Sequence, residues 1–319
     1  MIHKNLHKNK KLVDFDTDRN LKSPLIILSM LRLLPFIMLV GFTLSISAEE
    51  NRPTLKVLCW NIWRAGVQKE ETGKPHQVAK IIKSQNPDLV AMQETYGSGP
   101  WLKKQLGYEL KLRGPHLSLF SKHPILKDLS VGGEWNCIGA LIDVPDFGKI
   151  AFFSIWLPFN GDIWIKGSRK EVTKEKMLAV CEPSYNVLSK ILPDIENKLK
   201  NEGLSKVPII FAGDFNSMSH FDYVKKAGDQ YGGWEIEWPT SKLMIDAGFT
   251  DTYRALHPKI NRQIDRTWSP EFTTQEADRI DFIYSRGEIL KPIYSNVIDE
   301  NLPFFPSDHA IVITDFGKN

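Results

Sequence analysis

The sequence predicts one large mixed α/β domain, on three grounds. Apolar runs of strand length recur along the chain, an amphipathic helical stretch separates the first two, and polar clusters begin where runs end. Residues 55–60 (LKVLCW) read as a buried strand ending at Asn61. In residues 77–84 (QVAKIIKS), Val78, Ile81 and Ile82 fall at helical spacing, and Asn86-Pro87 ends the segment. Residues 88–92 (DLVAM) form a second buried strand ending at Gln93-Glu94, so strand, helix and strand make a βαβ-like unit. Shorter strands are expected at 117–121, 137–144 and 150–157. A polar-to-helical stretch, 171–200, follows, interrupted by Pro183 and Pro193. Residues 207–212 (VPIIFA) are another buried strand that runs into Gly213-Asp214-Phe215-Asn216, and strands at 280–284 and 310–315 (AIVITD) complete the set. In mixed α/β folds, strand ends are where side chains from distant segments converge while the backbone stays rigid.

At 42% hydrophobic and 25% charged residues the composition is globular. With no repeat, low-complexity tract or central linker, the 319 residues read as a leader, 1–48, and one domain, 49–319. Residues 33–47 (LLPFIMLVGFTLSIS) carry no charge, follow Arg32 and precede Ala48-Glu49-Glu50, the pattern of a secretory signal. The run is short for a membrane span, which needs about 20 apolar residues. The expectation is export to the periplasm or the exterior; the alternative is a retained anchor over residues 24–47, with Arg32 inside it. Residues 1–29 are polar and patternless, and Met30-Leu31-Arg32 makes a more typical start, so translation is expected to begin at Met30. The leader holds seven Lys/Arg and three Asp/Glu. Without it, 34 basic face 35 acidic side chains, and the net charge moves from +3 to −1, which gives no support for a nucleic-acid partner. Cys59, Cys137 and Cys181 are too few for a disulfide framework and form no Cys-x-x-Cys pair; Cys59 reads as core.

Five short motifs stand out: Trp60-Asn61, Gln93-Glu94-Thr95, the run 213–217 (GDFNS), the run 278–282 (DRIDF), and Ser307-Asp308-His309. Singly, each has a plain reading as a turn former, a solvated loop acid or a helix cap. Together, acids, amides and a histidine end separate buried strands. A hard divalent cation takes oxygen ligands, and Mg²⁺ typically uses one or two carboxylates plus phosphate and water. Glu94 and Asp308 supply two carboxylates. A neighbouring histidine is the natural base for water, and a second carboxylate fixes its tautomer, roles that His309 and Asp281 can fill.

In order and spacing these motifs resemble the endonuclease/exonuclease/phosphatase superfamily, over roughly residues 54–316. The resemblance implies a four-layer sandwich, with two mixed sheets face to face, helices on both outer sides, and the site at one end of the sheets. It also implies phosphoester cleavage with Mg²⁺ or Mn²⁺. By motif position it assigns Glu94 to the metal with Asn61 and Asp308 close by, and Asp214 and Asn216 to the water or the phosphate. Asp281 is to pair with His309, and His309 is to act as base or as phosphate stabiliser. Residues 120–125 (FSKHPI), 248–254 (GFTDTYR) and the aromatic strand at Thr267-Trp268 are similar to further family stretches. Asp251 reads equally as an anchor behind the site and as a loop acid. Secreted bacterial members look similar around GDFNSMSH and WPTSKLMIDAGFTDTYRALHP.

One position departs. Many members carry a histidine after the central strand, where this chain has Trp156 in Ser154-Ile155-Trp156-Leu157-Pro158. An indole offers an N–H donor and an apolar face, and neither binds a metal nor accepts a proton. Three functions stay open, each for a monomer; the first two act on a phosphoester. One is an extracellular nuclease or related phosphodiesterase, with Trp164, Lys166, Arg169, Lys170, Lys174 and Lys176 along a nucleic-acid backbone. The plain alternative for that stretch is a solvated helix lead-in, with Glu171 and Glu175 near the bases. The second is a hydrolase of a small or lipid-linked phosphoester, with Trp135, Trp156, Phe159, Trp164, Trp234 and Trp238 lining an apolar pocket or buried as core. The third is a binding protein that has lost catalysis through Trp156.

Overall fold

The computed structural model describes residues 52–66, 75–161, 163–164, 169, 172–269, 276–299 and 305–318. The leader at 1–48, the alternative anchor at 24–47, Lys166, Lys170 and Glu171 lie outside the described residues.

Two six-stranded sheets organise the described residues. The first contains β1 (Thr54–Asn61), β2 (Leu89–Gln93), β3 (Glu109–Arg113), β4 (Leu117–Ser121), β11 (Leu290–Ile298) and β12 (Ile311–Lys318), in the order β11-β12-β1-β2-β4-β3. The second contains β5 (Ile125–Asp128), β6 (Cys137–Val144), β7 (Gly148–Trp156), β8 (Ile209–Asp214), β9 (Thr250–Asp251) and β10 (Asp281–Arg286), in the order β5-β6-β7-β8-β10-β9. The helices are α1 (Pro75–Gln85), α2 (Gly99–Leu106), α3 (Lys174–Asn201), α4 (Pro239–Asp246), α5 (Thr252–Leu256) and α6 (Arg262–Asp265).

Strand alternation sorts the apolar side chains into layers. On β1, Val57 and Cys59 face inward and join Ile138 and Ala140 of β6 and Phe152 of β7 in a core between the sheets. Leu58 and Trp60, on the other face, pack with Val78, Ala79 and Ile82 of α1 and with Leu102 of α2. On the far side, Phe153 and Phe211 pack against Leu188, Ile195 and Leu199 of α3 and Met244 of α4. Helix, sheet, sheet and helix are the four layers that the resemblance implied, and the chain is an α/β sandwich.

Strands 117–121 and 137–144 have the expected bounds, and the other predicted strands differ by a few residues at their ends. The β1-α1-β2 unit forms a parallel pair, with Asn61 opposite Gln93. α3 corrects an expectation: it runs unbroken through Pro183 and Pro193. Each proline forfeits a backbone hydrogen bond. Tertiary packing offsets that loss, because Leu188, Ile191, Leu192, Ile195 and Leu199 are all buried against the second sheet. Thr267-Trp268 is not a regular strand; Trp268 makes isolated pairings with Asp278 and His309.

Register carries the polar motifs to one end of the molecule. β7 and β8 run parallel, with Trp156 opposite Asp214. β10 runs antiparallel to β8, with Asp281 also opposite Asp214. β12 runs antiparallel to β1, so its N-terminal end, just after Ser307-Asp308-His309, meets the C-terminal end of β1.

Candidate active site

A cleft of about 350 Å³ opens at that end of the sheets, and Glu94, Asp214, Asn216, Asp308 and His309 line it. Asp281 lies fully buried behind His309. His309 Nδ1 and Asp281 Oδ2 are 2.9 Å apart, so the carboxylate accepts the Nδ1 proton and Nε2 is the other face of the ring. Nε2 lies 3.9 Å from Asp214 Oδ2 and 3.9 Å from Asp308 Oδ1. The histidine loop is anchored to β1: Ser307 Oγ donates to the Asn61 carbonyl at 2.6 Å, and Trp60 Nε1 donates to the His309 carbonyl at 3.0 Å.

Asp214 ends β8, where the strand presses against β7. A Cβ on Gly213 would lie 2.2 Å from the Ile155 carbonyl oxygen and 2.8 Å from the Ile155 nitrogen, so only glycine fits beside that strand. The glycine of GDFN therefore serves a close approach of two strands rather than a turn. Asn216 has φ 45, a left-handed conformation that asparagine tolerates better than most residues. Its backbone N–H donates to Asp214 Oδ1 at 2.9 Å, and its side-chain amide donates to the Leu157 carbonyl at 2.8 Å. Glu94 also has a positive φ, 56, as do Trp63, Arg64 and Tyr96 along the same cleft. Left-handed residues without a glycine cost free energy and concentrate at functional sites.

Asn61 sits beside Glu94, hydrogen-bonded to it. Its Nδ2 donates to Glu94 Oε1 and to Asp214 Oδ2, each at 3.1 Å, and its Oδ1 accepts the Trp63 N–H at 3.0 Å. It straps two acids from different sheets. Arg64 N–H holds the other oxygen of Glu94 at 3.0 Å.

Two acids match a divalent cation. Asp308 is 9% exposed, and its buried Oδ1 has no hydrogen-bond partner, while Oδ2 accepts from Trp268 Nε1 at 3.4 Å. Burial and then the nearby Glu94 charge raise the Asp308 carboxyl above its ordinary value, although His309 opposes the shift. Two carboxylates in one cleft, one of them raised and with an orphaned buried oxygen, are a donor set that a hard cation satisfies. Asp214, Asp281 and His309 also bring ligand atoms within 4.8 Å of one another. Asp281 Oδ2 holds Nδ1 of the histidine and Asp214 accepts from both Asn61 and Asn216, whereas Asp281 Oδ1 is buried without a hydrogen-bond partner.

The electrostatics separate the two central groups. Burial, then the Asp281 charge, pushes Asp214 up to about 7 against the opposing pull of His309. Burial works against a charge on His309, but Asp281, Asp214 and Asp308 outweigh it and raise the imidazole to about 10.

The remaining predicted residues divide. Trp156 and Trp268 line the cleft. Asp251 does not reach it; it is buried, caps α5 through the Arg254 N–H, and takes both oxygens onto Arg279 Nη1 at 2.8 and 3.0 Å. Arg279 also binds Asp222, so Asp251 anchors the segment that leads into Asp281. Of the basic stretch, Arg169 is buried and ion-paired with Asp278, and is not available to a phosphate. Trp164 lines the cleft while its Nε1 donates to Asp278 at 2.8 Å. Trp238 is fully buried core. Sequence reasoning missed Trp63, Arg64 and Tyr96, whose positions depend on left-handed backbone that side-chain patterns do not encode.

Comparison with known proteins agrees with this architecture. The sequence matches the Endonuclease/Exonuclease/phosphatase family over residues 58–309. A Caenorhabditis elegans relative, uncharacterized protein F14F9.5, is 27% identical over 321 residues, covering 89% of this chain and 99% of the relative. An endonuclease/exonuclease/phosphatase from Beutenbergia cavernae DSM 12333 superposes with a TM-score of 0.58 at 18% identity, over 84% of this chain and 72% of its own. A D. rerio TDP2 humanized by 14 mutations superposes with a TM-score of 0.55 at 17% identity, over 83% of this chain and 99% of its own. Truncated Caenorhabditis elegans TDP2 gives the same TM-score and identity, over 83% of this chain and 97% of its own. With motif order, sandwich and convergent strand ends in agreement, this chain belongs to the endonuclease/exonuclease/phosphatase family.

Proposed function

We propose that this protein is a divalent-metal-dependent phosphoester hydrolase, acting foremost on phosphodiesters by attack of water on phosphorus. One observation carries the reading: His309, held by Asp281, faces Asp214 and Asp308 in a cleft that Glu94 also lines. Family membership supports phosphoester hydrolysis as the reaction class.

Glu94 and Asp308 would hold the cation, and Asn61 would keep Glu94 in place. A cation bound there, Mg²⁺ or Mn²⁺, neutralises phosphoryl oxygens and stabilises the leaving oxygen. Asp214, beside the Nε2 face of His309, orients the attacking water and takes its proton. His309 in its charged form steadies the negative charge that develops on phosphorus, and Asp281 keeps the imidazole aimed. Asn216 fixes Asp214 through its backbone N–H.

A binding role without catalysis has less support. Trp156 replaces one histidine, yet the other polar positions of the motifs are filled. The full chain should hydrolyse bis-p-nitrophenyl phosphate, plasmid DNA or a phospholipid in Mg²⁺ or Mn²⁺, and His309→Ala or Glu94→Ala should abolish the activity. Inertness of the wild type toward all three would sink the enzymatic reading. We further propose export, on the strength of the apolar run at 33–47. N-terminal sequencing of secreted material should begin near Glu49, and an intact leader on the mature protein would exclude it.

A further inference from the structure

Next to the catalytic cleft lies a second cavity of about 300 Å³, and Trp156, Phe159 and Asn216 line both. Trp135, Asn136, Leu157 and Pro158 also line the second cavity, and none of its described lining residues is charged. Trp135 is 50% exposed and Phe159 48% exposed, large apolar surfaces left open to water beside the proposed reaction centre.

Trp135 does not hang loosely there. Its ring stacks on His116, with centroids 3.3 Å apart and planes 26° apart, and Tyr96 meets His116 edge-on at 4.7 Å. Trp156 lies 6.4 Å from Trp135 at 35°. His116 is 3% exposed and neither ring nitrogen has a hydrogen-bond partner, so the imidazole acts as a packing slab. Burial lowers its pKa, which keeps the slab uncharged. The loop beneath Trp135 is clamped by Arg113, whose Nη1 donates to the Val131 and Cys137 carbonyls at 2.8 Å and whose Nη2 donates to Gly132 at 2.6 Å. Asn136 Nδ2 fastens the loop end to the Trp156 carbonyl at 3.0 Å. Trp135, Trp156 and Phe159 were legible in the sequence as walls of an apolar pocket, but the clamp was not, because Arg113 and the loop meet only through the fold.

We propose that this cavity is a preformed subsite for a planar, uncharged ring carried on the phosphoester, as a nucleobase or an aryl group; the assignment deepens the hydrolase reading and names its substrate class. The half-exposed rings of Trp135 and Phe159 reward a flat ring, whereas an acyl chain is better served by branched aliphatic walls, and among the described lining residues Leu157 is the one such side chain, nearly fully buried. In a ring-bearing substrate the phosphoryl group sits at Glu94, Asp308 and His309 and the ring against Trp135 and Phe159.

Isothermal titration of the full chain in Mg²⁺ tests this with thymidine 5′-phosphate, phenyl phosphate, ribose 5-phosphate and hexyl phosphate. Both ring-bearing ligands, or thymidine 5′-phosphate alone if the ring is a nucleobase, should bind about tenfold tighter than ribose 5-phosphate. Trp135→Ala and Phe159→Ala should each erase that ratio, and Trp135→Phe should keep most of it, with circular dichroism confirming that each variant is folded. Equal affinity for ring-bearing and ring-free ligands overturns the subsite, as does hexyl phosphate binding tightest in a Trp135-dependent way. Turnover of bis-p-nitrophenyl phosphate by the same preparation separates the two readings. Its absence with the ring preference intact defeats the hydrolase and leaves the subsite standing; turnover without ring preference does the reverse.

Discussion

Asp281 lies 2.9 Å from Nδ1 of His309, at the start of a strand whose register also sets Asp281 opposite Asp214. The relationship decides which imidazole nitrogen faces the cleft, and the first prediction follows from it. Asp281→Asn keeps the volume but removes the charge, and its amide can turn N–H2 instead of an acceptor toward Nδ1. Activity on bis-p-nitrophenyl phosphate should fall about 10²–10⁴-fold in kcat, with KM changed far less. Steady-state kinetics read the split, and a change confined to KM would contradict the assignment.

The pair Glu94 and Asp308 predicts a thermal response to metal. At a concentration about 100 times Kd, Mg²⁺ or Mn²⁺ should stabilise the wild type by about 2.7 kcal/mol. Glu94→Gln should lose most of that gain, and in EDTA it should melt close to the wild type, because relief of the charge that raises Asp308 offsets the loss of one of the two hydrogen bonds Glu94 accepts. Differential scanning fluorimetry with and without EDTA makes the comparison. A wild type blind to both metals would remove the cation from this cleft.

Gly213 is expected to tolerate no side chain. In Gly213→Ala the new Cβ would meet backbone atoms of β7, so one strand must move. We expect a loss of about 3 kcal/mol or more in urea denaturation, near the upper end for overpacking, together with lost activity as Asp214 shifts. A near-neutral effect would show that β7 and β8 can separate locally.

The buried cluster around Arg279 should behave as a structural core. Arg279→Met strands Asp251 without its cation and leaves Asp222 paired with Arg254 alone, and we expect it to destabilise the fold by about 3–5 kcal/mol. The double variant Asp251→Asn/Arg279→Met should recover part of that loss. Chemical denaturation of the set gives the coupling; additive losses would mean that the pair does not act as a unit.

Arg113→Ala offers a separate handle on the Trp135 loop. Freed carbonyls at Val131, Gly132 and Cys137 should bring faster hydrogen exchange over residues 131–137, with about 1–2 kcal/mol of local stability lost. Unchanged exchange there would show that the stack on His116 alone holds the loop.

Much of this protein was already written in local pattern. Alternating apolar residues such as Val57, Cys59, Leu58 and Trp60 determine that β1 is buried on both faces, and so that layers must cover it on both sides. The polar residues at strand ends, Asn61 and Asp214 closing β1 and β8, Glu94 just after β2 and Asp308 just before β12, disclose where chemistry is placed. These features are legible because strand periodicity and chain punctuation act over a few residues. What only the tertiary structure decided is which partner each polar group takes. Arg169 looked available to a phosphate until Asp278, 109 residues away, claimed it. Asp251 became an anchor through Arg279, and Asn61 a strap between acids of two sheets. Pro183 and Pro193 were absorbed into one helix by the apolar surface beneath it. The physical reason is common to all of them: burial makes an unpaired charge, donor or backbone group costly, and the partner that relieves the cost is chosen by sheet register and packing, which bring together residues that no short window of sequence contains.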